Sequence, residues 1–342
     1  MKQKLEDIAR IAGVNPATVS RAINKPEKVK FETRQKIQAI INELGYKPNY
    51  FAKGLMTGKT DSVGILTVNR SNPYFEEIIE GIERLLIPDG TYLYLCNCEC
   101  SLELEKRNLE EMIRRNIDAL FVIETPSLNS KNNFYVNRQF HCPVILINQY
   151  IKASGDNFVI RCDQHPGLLD VFKEVERRSL YPFMLFIPAM KSYAYALKMR
   201  FLEKWRRENN IPKAQASCIK LPDITGPNNE TSVWSSFDIA KKILSSPARP
   251  RAVLAANDLI ALGILAAARE LKIKVPEELS VAGVDNTFIS RISIPPLSTI
   301  DLRTGEVGEK AAELYQRVKN EPEKDHPRVL VLPSHFNRRG TF

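Results

Sequence analysis

Histidine, tryptophan and long apolar runs are what this 342-residue chain has least of. It holds 4 His and 2 Trp, and no stretch approaches the ~18 to 20 consecutive apolar residues that a bilayer-crossing helix needs. The start, MKQKLEDIARIAG, lacks the apolar core of a secretory leader, so the expected location is cytoplasmic. His141, His165, His326 and His335 are scattered along the chain. No Gly-x-Ser-x-Gly, no Gly-x-x-x-x-Gly-Lys-[Ser/Thr] and no Gly-x-Gly-x-x-Gly occurs. The patterns that announce a hydrolase, a nucleoside triphosphatase or a dinucleotide enzyme are therefore missing. The reading is that the chain is not an enzyme and has no cofactor.

Cysteine is present but not arranged for a disulfide frame: Cys96, Cys98, Cys100, Cys142, Cys162 and Cys218 are dispersed in apolar contexts,. Cys96, Cys98 and Cys100 share one face if their segment is a strand. No histidine stands near them, and two-residue spacing is not that of zinc-binding loops. They read as buried or half-buried thiols at a strand end, with no metal expected.

What is abundant is positive charge at one end. Residues 1–60 hold 12 Lys and Arg against 5 Asp and Glu, whereas the remainder holds 37 against 35. A formal charge of +9 concentrated in this way points to a polyanion-binding module at the start of the chain. Within it, Leu5, Ile8, Ala9 and Ala12 fall at helical spacing. After Gly13 the pattern resumes with Val19, Ala22 and Ile23. Asn15 is placed to cap the second helix and Pro16 suits its first position. The outward set Asn15, Pro16, Ala17, Thr18, Ser20, Arg21 and Asn24 is small and polar enough to enter a major groove. A third apolar stripe, Ile37, Ile40, Ile41 and Leu44, predicts a helix over Thr33 to Leu44, stopped by Gly45. Stripes this short must pack on one another to be stable.

From Ser62 onward, strand and helix patterns alternate. Strands are expected at Val63 to Val68, Tyr92 to Cys96, Ala119 to Ile123 and Val144 to Ile147. A second set is expected at Phe183 to Ile187, Cys218 to Leu221, Ala252 to Ala255 and Val281 to Val284. Helices lie between, including Tyr74 to Ile87, Glu103 to Arg115 and 258–271. Repeated βα units imply parallel sheets covered on both faces.

The stretch DIARIAGVNPATVSRAINKPEKVKFETRQKIQAIINELGYKPNYFAKGL resembles the head and hinge of the lactose/galactose repressor family of bacterial transcription factors. The body resembles that family most at SNPYFEEIIEGIE, at AVLAANDLIALGILAAARELKIKVPEELSVAGVDN and at IPPLSTID. One departure is physical: Lys30 stands where the family usually has Ser before the third helix. Lysine cannot accept the capping bond, so the helix starts later or is less stable by ~1 kcal/mol.

The resemblance implies an α/β chain with a three-helix helix-turn-helix head and hinge helix, followed by a two-lobed doubly wound parallel-sheet body like that of periplasmic sugar-binding proteins. The expected domains are 1–47 for the head, 48–60 for the hinge and 61–342 for the body. Three lobe crossings are implied. Lobe 1 then covers about 61–160 and 290–320, and lobe 2 about 161–289 and 321–342 with the last strand, Arg328 to Leu332. In the hinge, Asn49 is placed to cap a short helix, which Gly54 weakens by ~1 kcal/mol relative to Ala. By resemblance this helix orders on DNA, with Asn49 and Lys53 beside it and Leu55 wedged into a minor-groove base step.

Ligands of doubly wound sheets lie beyond the carboxyl ends of the strands, and in two-lobed bodies between the lobes. That rule places Asn69 to Phe75, Asn72 among them, at a cleft with Glu124, Thr125, Asn148, Pro188 to Tyr193, Asn257, Asp258 and Asp285. Asp258 ends a strand and begins a helix, so it either accepts bonds from ligand hydroxyls or stabilises the helix N-terminus. Asp285 reads similarly. Tyr74, Phe75 and Trp234 are able to stack on a sugar ring or nucleobase, though aromatics at such spacings more often fill cores. The middle of the chain departs from the family in CDQHPGLL, ERRSLYPF, LKMRFLEKW and WSSFDIA. There the family's effector-contacting arginine corresponds to Lys198 or Arg200.

The expectation is a sequence-specific DNA-binding transcription regulator of the repressor type. It acts as a homodimer, or a tetramer, on a near-palindromic double-stranded operator and responds to a small carbohydrate-like effector. The competing expectation is a DNA-binding or architectural protein whose body only dimerises or binds a protein partner. No membrane partner is expected.

Overall fold

The computed structural model describes residues 4–24, 26–46, 59–68, 72–129, 133–135, 138–148, 157–189, 192–222 and 230–342. The chain divides into two units, Met1–Thr60 and Asp61–Phe342.

The first unit is built on α1 (Leu5–Ala12), α2 (Pro16–Asn24) and α3 (Phe31–Leu44). Ile8, Ala9 and Ala12 of α1 meet Val19 and Ala22 of α2 and Ile37, Ile40 and Ile41 of α3 in one apolar cluster. Gly13 ends α1 with φ 69°, a left-handed conformation that glycine adopts without steric cost,. Lys30 makes no side-chain cap, as its chemistry requires, yet α3 begins at Phe31 and not later. The expected first residue, Thr33, is thus already inside the helix.

The second unit carries two six-stranded sheets. The first contains β1 (Ser62–Thr67), β2 (Tyr92–Asn97), β3 (Ala119–Ile123), β4 (Val144–Ile147), β5 (Asn157–Asp163) and β11 (Val329–Pro333). Their order is β11-β5-β4-β3-β1-β2, all parallel. The second contains β6 (Phe183–Pro188), β7 (Ala216–Leu221), β8 (Ala252–Ala255), β9 (Ser280–Asp285), β10 (Ser298–Asp301) and β12 (His335–Asn337). Their order is β12-β10-β9-β8-β6-β7, with β12 alone antiparallel. The central strands β1, β3, β4, β8 and β9 are buried along their whole length. That is why they read as continuous apolar runs and not as alternations.

Helices α4 (Pro73–Leu86) and α5 (Leu102–Arg114) belong to the first lobe. Helices α6 (His165–Arg177), α7 (Tyr193–Glu208), α8 (Glu230–Leu244), α9 (Asp258–Glu270) and α10 (Phe288–Ile292) belong to the second. The final helix, α11 (Thr304–Asn320), packs on α4. This contact depends on glycine: a Cβ on Gly81 would lie 2.2 Å from the Gly305 carbonyl oxygen, and one on Gly308 would lie 2.1 Å from that of Ile78.

The chain passes between sheets after β5, after β10 and again between β11 and β12. Three crossings were expected, but the segments divide differently. The strand over Arg328 to Leu332, expected in lobe 2, is β11, and it pairs with β5 in the first sheet from Val329↔Val159 to Pro333↔Asp163. Conversely β10, inside the 290–320 segment expected in lobe 1, pairs with β9 in the second sheet. The physical reason is that an apolar run specifies a strand but not its neighbour. Here β11 takes β5 as its neighbour and β10 takes β9, and within 290–320 only α11, from 304 onward, packs on lobe 1. The strands β5, β10 and β12 had no counterpart among the expected ones: NFVIRCD is interrupted by charge, and the other two are short.

Candidate functional site

In the first unit the turn between α1 and α2 is closed by the Val14 N–H donating to the Ala9 carbonyl at 3.0 Å. Asn15 Oδ1 accepts the Ala17 N–H at 2.9 Å, the capping bond its position predicts,. With Val19 and Ala22 buried, α2 leaves Asn15, Pro16, Ala17 and Arg21 exposed and Thr18 and Ser20 half-buried. Asn24 closes the helix, but its side chain lies outside the described residues. So do Asn49, Lys53 and Leu55.

In the second unit, polar side chains gather where the strands end. The lobe-1 wall is a chain of hydrogen bonds. The Cys162 N–H donates to Asn148 Oδ1 at 2.9 Å, Asn148 Nδ2 donates to Tyr74 Oη at 2.5 Å, and the Tyr74 hydroxyl donates to Glu124 Oε1 at 2.8 Å. Tyr74 is brought there by α4, whose first turn is set by Asn72: its Oδ1 accepts the Tyr74 N–H at 3.1 Å, ahead of Pro73 at the first helical position,.

The lobe-2 wall supplies Lys198 and Tyr195 from α7 and Asp285 from the end of β9. The Lys198 ammonium lies 5.8 Å from the Tyr195 ring centroid. Glu124, Asn148 and Asp285 have φ of 48°, 54° and 111°. Left-handed conformations of this kind in non-glycine residues cost ~1–3 kcal/mol each and cluster where function requires them.

Burial governs the charges. It pushes Lys198 down to about 8, against the pull of Asp285 first and then Glu124, which favour the ammonium. It lifts the Glu124 carboxyl, while the Tyr74 bond and the Lys198 charge oppose the rise. Asp285 is raised well above the ordinary carboxylate range by burial and by Asp258, with Lys198 acting the other way. The arrangement presents two carboxylates, one on each lobe, and an ammonium between them. It offers acceptors and a donor to a molecule with several hydroxyls.

Asp258 plays a different part. Its Oδ2 accepts the Thr287 N–H at 2.9 Å and the Thr287 hydroxyl at 3.0 Å, and its Oδ1 accepts the Thr299 hydroxyl at 2.6 Å. Capping of α9 falls to Asn257, whose Oδ1 accepts the Ile260 N–H at 2.9 Å. Asp258 therefore anchors the segment after β9. Burial holds its carboxyl up at about 7, despite the bonds from Thr299 and Thr287.

Of Lys198 and Arg200, Lys198 is buried, whereas Arg200 is exposed and lies 5.1 Å from the Tyr193 ring centroid. Phe75 is a core residue set edge-on to Tyr74 at 5.0 Å. Trp234 is 62% exposed and packs edge-on against Phe237.

Two residues escaped the sequence reading. Tyr195 sits one helical turn before Lys198, a spacing that puts both on one face and was available as a signal. Glu77 joins the lobes: Oε1 accepts the Phe288 N–H of α10 at 2.8 Å and Oε2 accepts the Thr304 hydroxyl at 2.5 Å. Nothing in the spacing of EEIIEGIE distinguishes Glu77 from its solvated neighbours.

Among the described residues no helix is long and apolar enough to cross a membrane, and no group of three His, Cys, Asp or Glu is placed to hold a metal. Cys98 is buried and Cys96 and Cys100 are partly so; burial lifts the Cys98 thiol to about 12.

A helix-turn-helix unit followed by a pair of parallel-sheet lobes defines a class of DNA-binding regulators, and the chain is similar to the lacI-type repressors at its head and to periplasmic binding proteins in its body. Residues 4–49 match the bacterial regulatory proteins of the lacI family, and residues 184–342 match the periplasmic binding protein-like domain. Among curated relatives, the ribose operon repressor of Escherichia coli (strain K12) is 27% identical over 330 residues, 96% of this chain and 97% of that protein. The HTH-type transcriptional repressor PurR of Histophilus somni (strain 2336) is 27% identical over 336 residues, 98% of each. Among solved structures, the lac repressor dimer bound to operator and the anti-inducer ONPF superposes with a TM-score of 0.83 at 21% identity, covering 100% of this chain and 99% of that one. The chain is a DNA-binding transcriptional regulator.

Proposed function

We propose that this protein represses transcription by binding a near-palindromic operator as a homodimer in the cytoplasm, with its affinity set by a small polyhydroxyl effector held between the lobes. The observation that carries the effector reading is the convergence of Glu124, Tyr74 and Asn148 from one lobe with Lys198, Tyr195 and Asp285 from the other. A ligand bridging these walls favours one interlobe angle. It shifts the equilibrium only by its differential affinity for the two angles. Names of relatives and neighbours point the same way: a ribose operon repressor and a LacI-family regulator from Enterococcus faecium with bound ribose.

On DNA, α2 enters the major groove. Arg21 suits a bidentate contact to guanine, Ala17 a methyl contact to thymine, and Thr18, Ser20 and Asn24 a hold on phosphate. Asn49, Lys53 and Leu55 act in the minor groove, Leu55 as the wedge. A second copy covers the apolar side chains that α10 and its flank leave in solvent: Phe288, Ile292 and Ile294 are 48%, 69% and 95% exposed.

The test is to select operators from random DNA with the full chain and then screen sugars and nucleobases for a change in that binding. The expected coupling is ~5–150-fold. If no sequence is enriched, the operator reading fails. If operators are found but no compound shifts them, and Asp285→Ala behaves as wild type throughout, the effector reading fails.

A further inference from the structure

We propose a second, anion-binding site on lobe 2, at the edge where its strands begin and so away from the cleft at the strand ends, selective for a phosphate-type oxyanion. It is formed by Arg177, Arg178, Arg251 and Arg338 around the carboxyl end of α6. Glu174 takes Arg177 through two bonds of 2.9 and 2.8 Å and Arg338 at 3.5 Å. Arg178 follows the helix directly, and its guanidinium lies 5.9 Å from the Phe342 ring centroid. The Arg251 N–H donates to the Pro182 carbonyl at 2.7 Å, which brings that residue to the segment following Arg178. Arg338 Nε donates to the Phe342 main-chain oxygen at 3.0 Å.

The charges do not balance. Four guanidinium groups meet one side-chain carboxylate, the Phe342 oxygen and the carbonyl end of α6, the last worth roughly half a negative charge, so that positive charge is in excess whichever charge the Phe342 oxygen carries. The excess is felt at Arg178: burial lowers its basicity first, and Arg338, Arg177 and Arg251 lower it further, against the pull of Glu174. Its Nη1 is buried and has no hydrogen-bond partner among the described residues. A buried donor without an acceptor and a local surplus of like charge are both costly, and one oxyanion relieves both. Planar guanidinium forks match phosphate oxygens in pairs, which is why arginine rather than lysine suits the task. The two central arginines lie in ERRSLYPF, a segment where the chain departs from the family it resembles. The operator and effector readings assign them nothing. The ligand class is a small phosphate-bearing metabolite.

The experiment uses the full chain and inorganic pyrophosphate, with sodium chloride added to the control to equal ionic strength. Wild-type protein is expected to melt ~2–4 °C higher with pyrophosphate, as a ligand of the native state requires. The double variant Arg178→Gln/Arg338→Gln is expected to lose that shift. Arg21→Ala and Lys198→Gln are expected to keep it, which separates this site from the basic head and from the cleft. A shift that survives in the double variant, or that vanishes in either of the other two, overturns the proposal. If the double variant does not fold, phenylglyoxal labelling of wild-type protein read by mass spectrometry decides: protection of these arginines by pyrophosphate supports the site, and equal labelling with and without it overturns the site.

Discussion

The recognition helix and the cleft treat polar groups in opposite ways. On α2, Pro16, Ala17 and Arg21 stand in solvent, and the small core beneath them is wholly apolar. In the cleft, Tyr74, Lys198 and Asp285 are buried, and Tyr74 is already bonded within the protein. A surface for phosphate and base edges needs charge that remains hydrated until DNA arrives, because much of the binding free energy comes from counterion release. A cleft for a small neutral ligand needs groups desolvated and aimed in advance, because few contacts are available to offset ordering. Substitutions should therefore act through different physics in the two regions, and four experiments sharpen or break the contrast.

The largest effect is expected from Lys198→Met. It leaves Glu124 and Asp285 facing the same buried space without their cation, a loss that for buried charges typically amounts to ~3–5 kcal/mol. The effector's influence on operator binding should disappear, while operator binding by the unliganded protein survives. A wild-type effector response in a gel-shift titration would break the assignment.

Next is pH. The Asp258 carboxyl, raised to about 7 in the folded protein, binds more protons folded than unfolded between its ordinary value near 4 and about 7. Stability of the body should therefore fall as pH rises through that window, on the order of 4 kcal/mol, and level off above it. Melting curves from pH 4.5 to 8 check this, and Asp258→Asn should flatten the profile. A slope unchanged by the substitution would assign it to other groups.

Arg21→Ala should cost ~1–3 kcal/mol at a single operator base pair. Equal weakening on all sequences would show that Arg21 holds phosphate only. The smallest effect is expected from Lys30→Ser, which supplies the missing cap of α3 and should stabilise the head by about 1 kcal/mol. No rise in its melting temperature would mean that the start of α3 is already satisfied by other groups.

The head and the strand ends of the body were readable in different degrees. Gly13, Asn15 and Pro16 specify the turn and the start of α2 by local backbone chemistry, and the structure carries the Asn15 cap that the sequence implies. Glu124, Asn148 and Asp285 were legible as strand-end residues, because a run of buried apolar positions must stop where its strand leaves the sheet. Asp258 was legible only as an acid between strand and helix: its sequence position is the same whether its oxygens face a ligand or Thr287 and Thr299. Glu77 was invisible, since its partner is a backbone N–H more than two hundred positions away.

By itself the sequence determined the elements, the confinement of basic excess to the first sixty residues and the kind of helix presented to DNA. All of these follow from local periodicity, capping and charge, which act over a few residues. The tertiary structure alone decided which sheet receives β10 and β11, that Lys198 is buried while Arg200 is exposed, and that arginines from three separate segments meet at the end of α6. Those outcomes depend on which surfaces bury one another, a choice made by the whole chain at once.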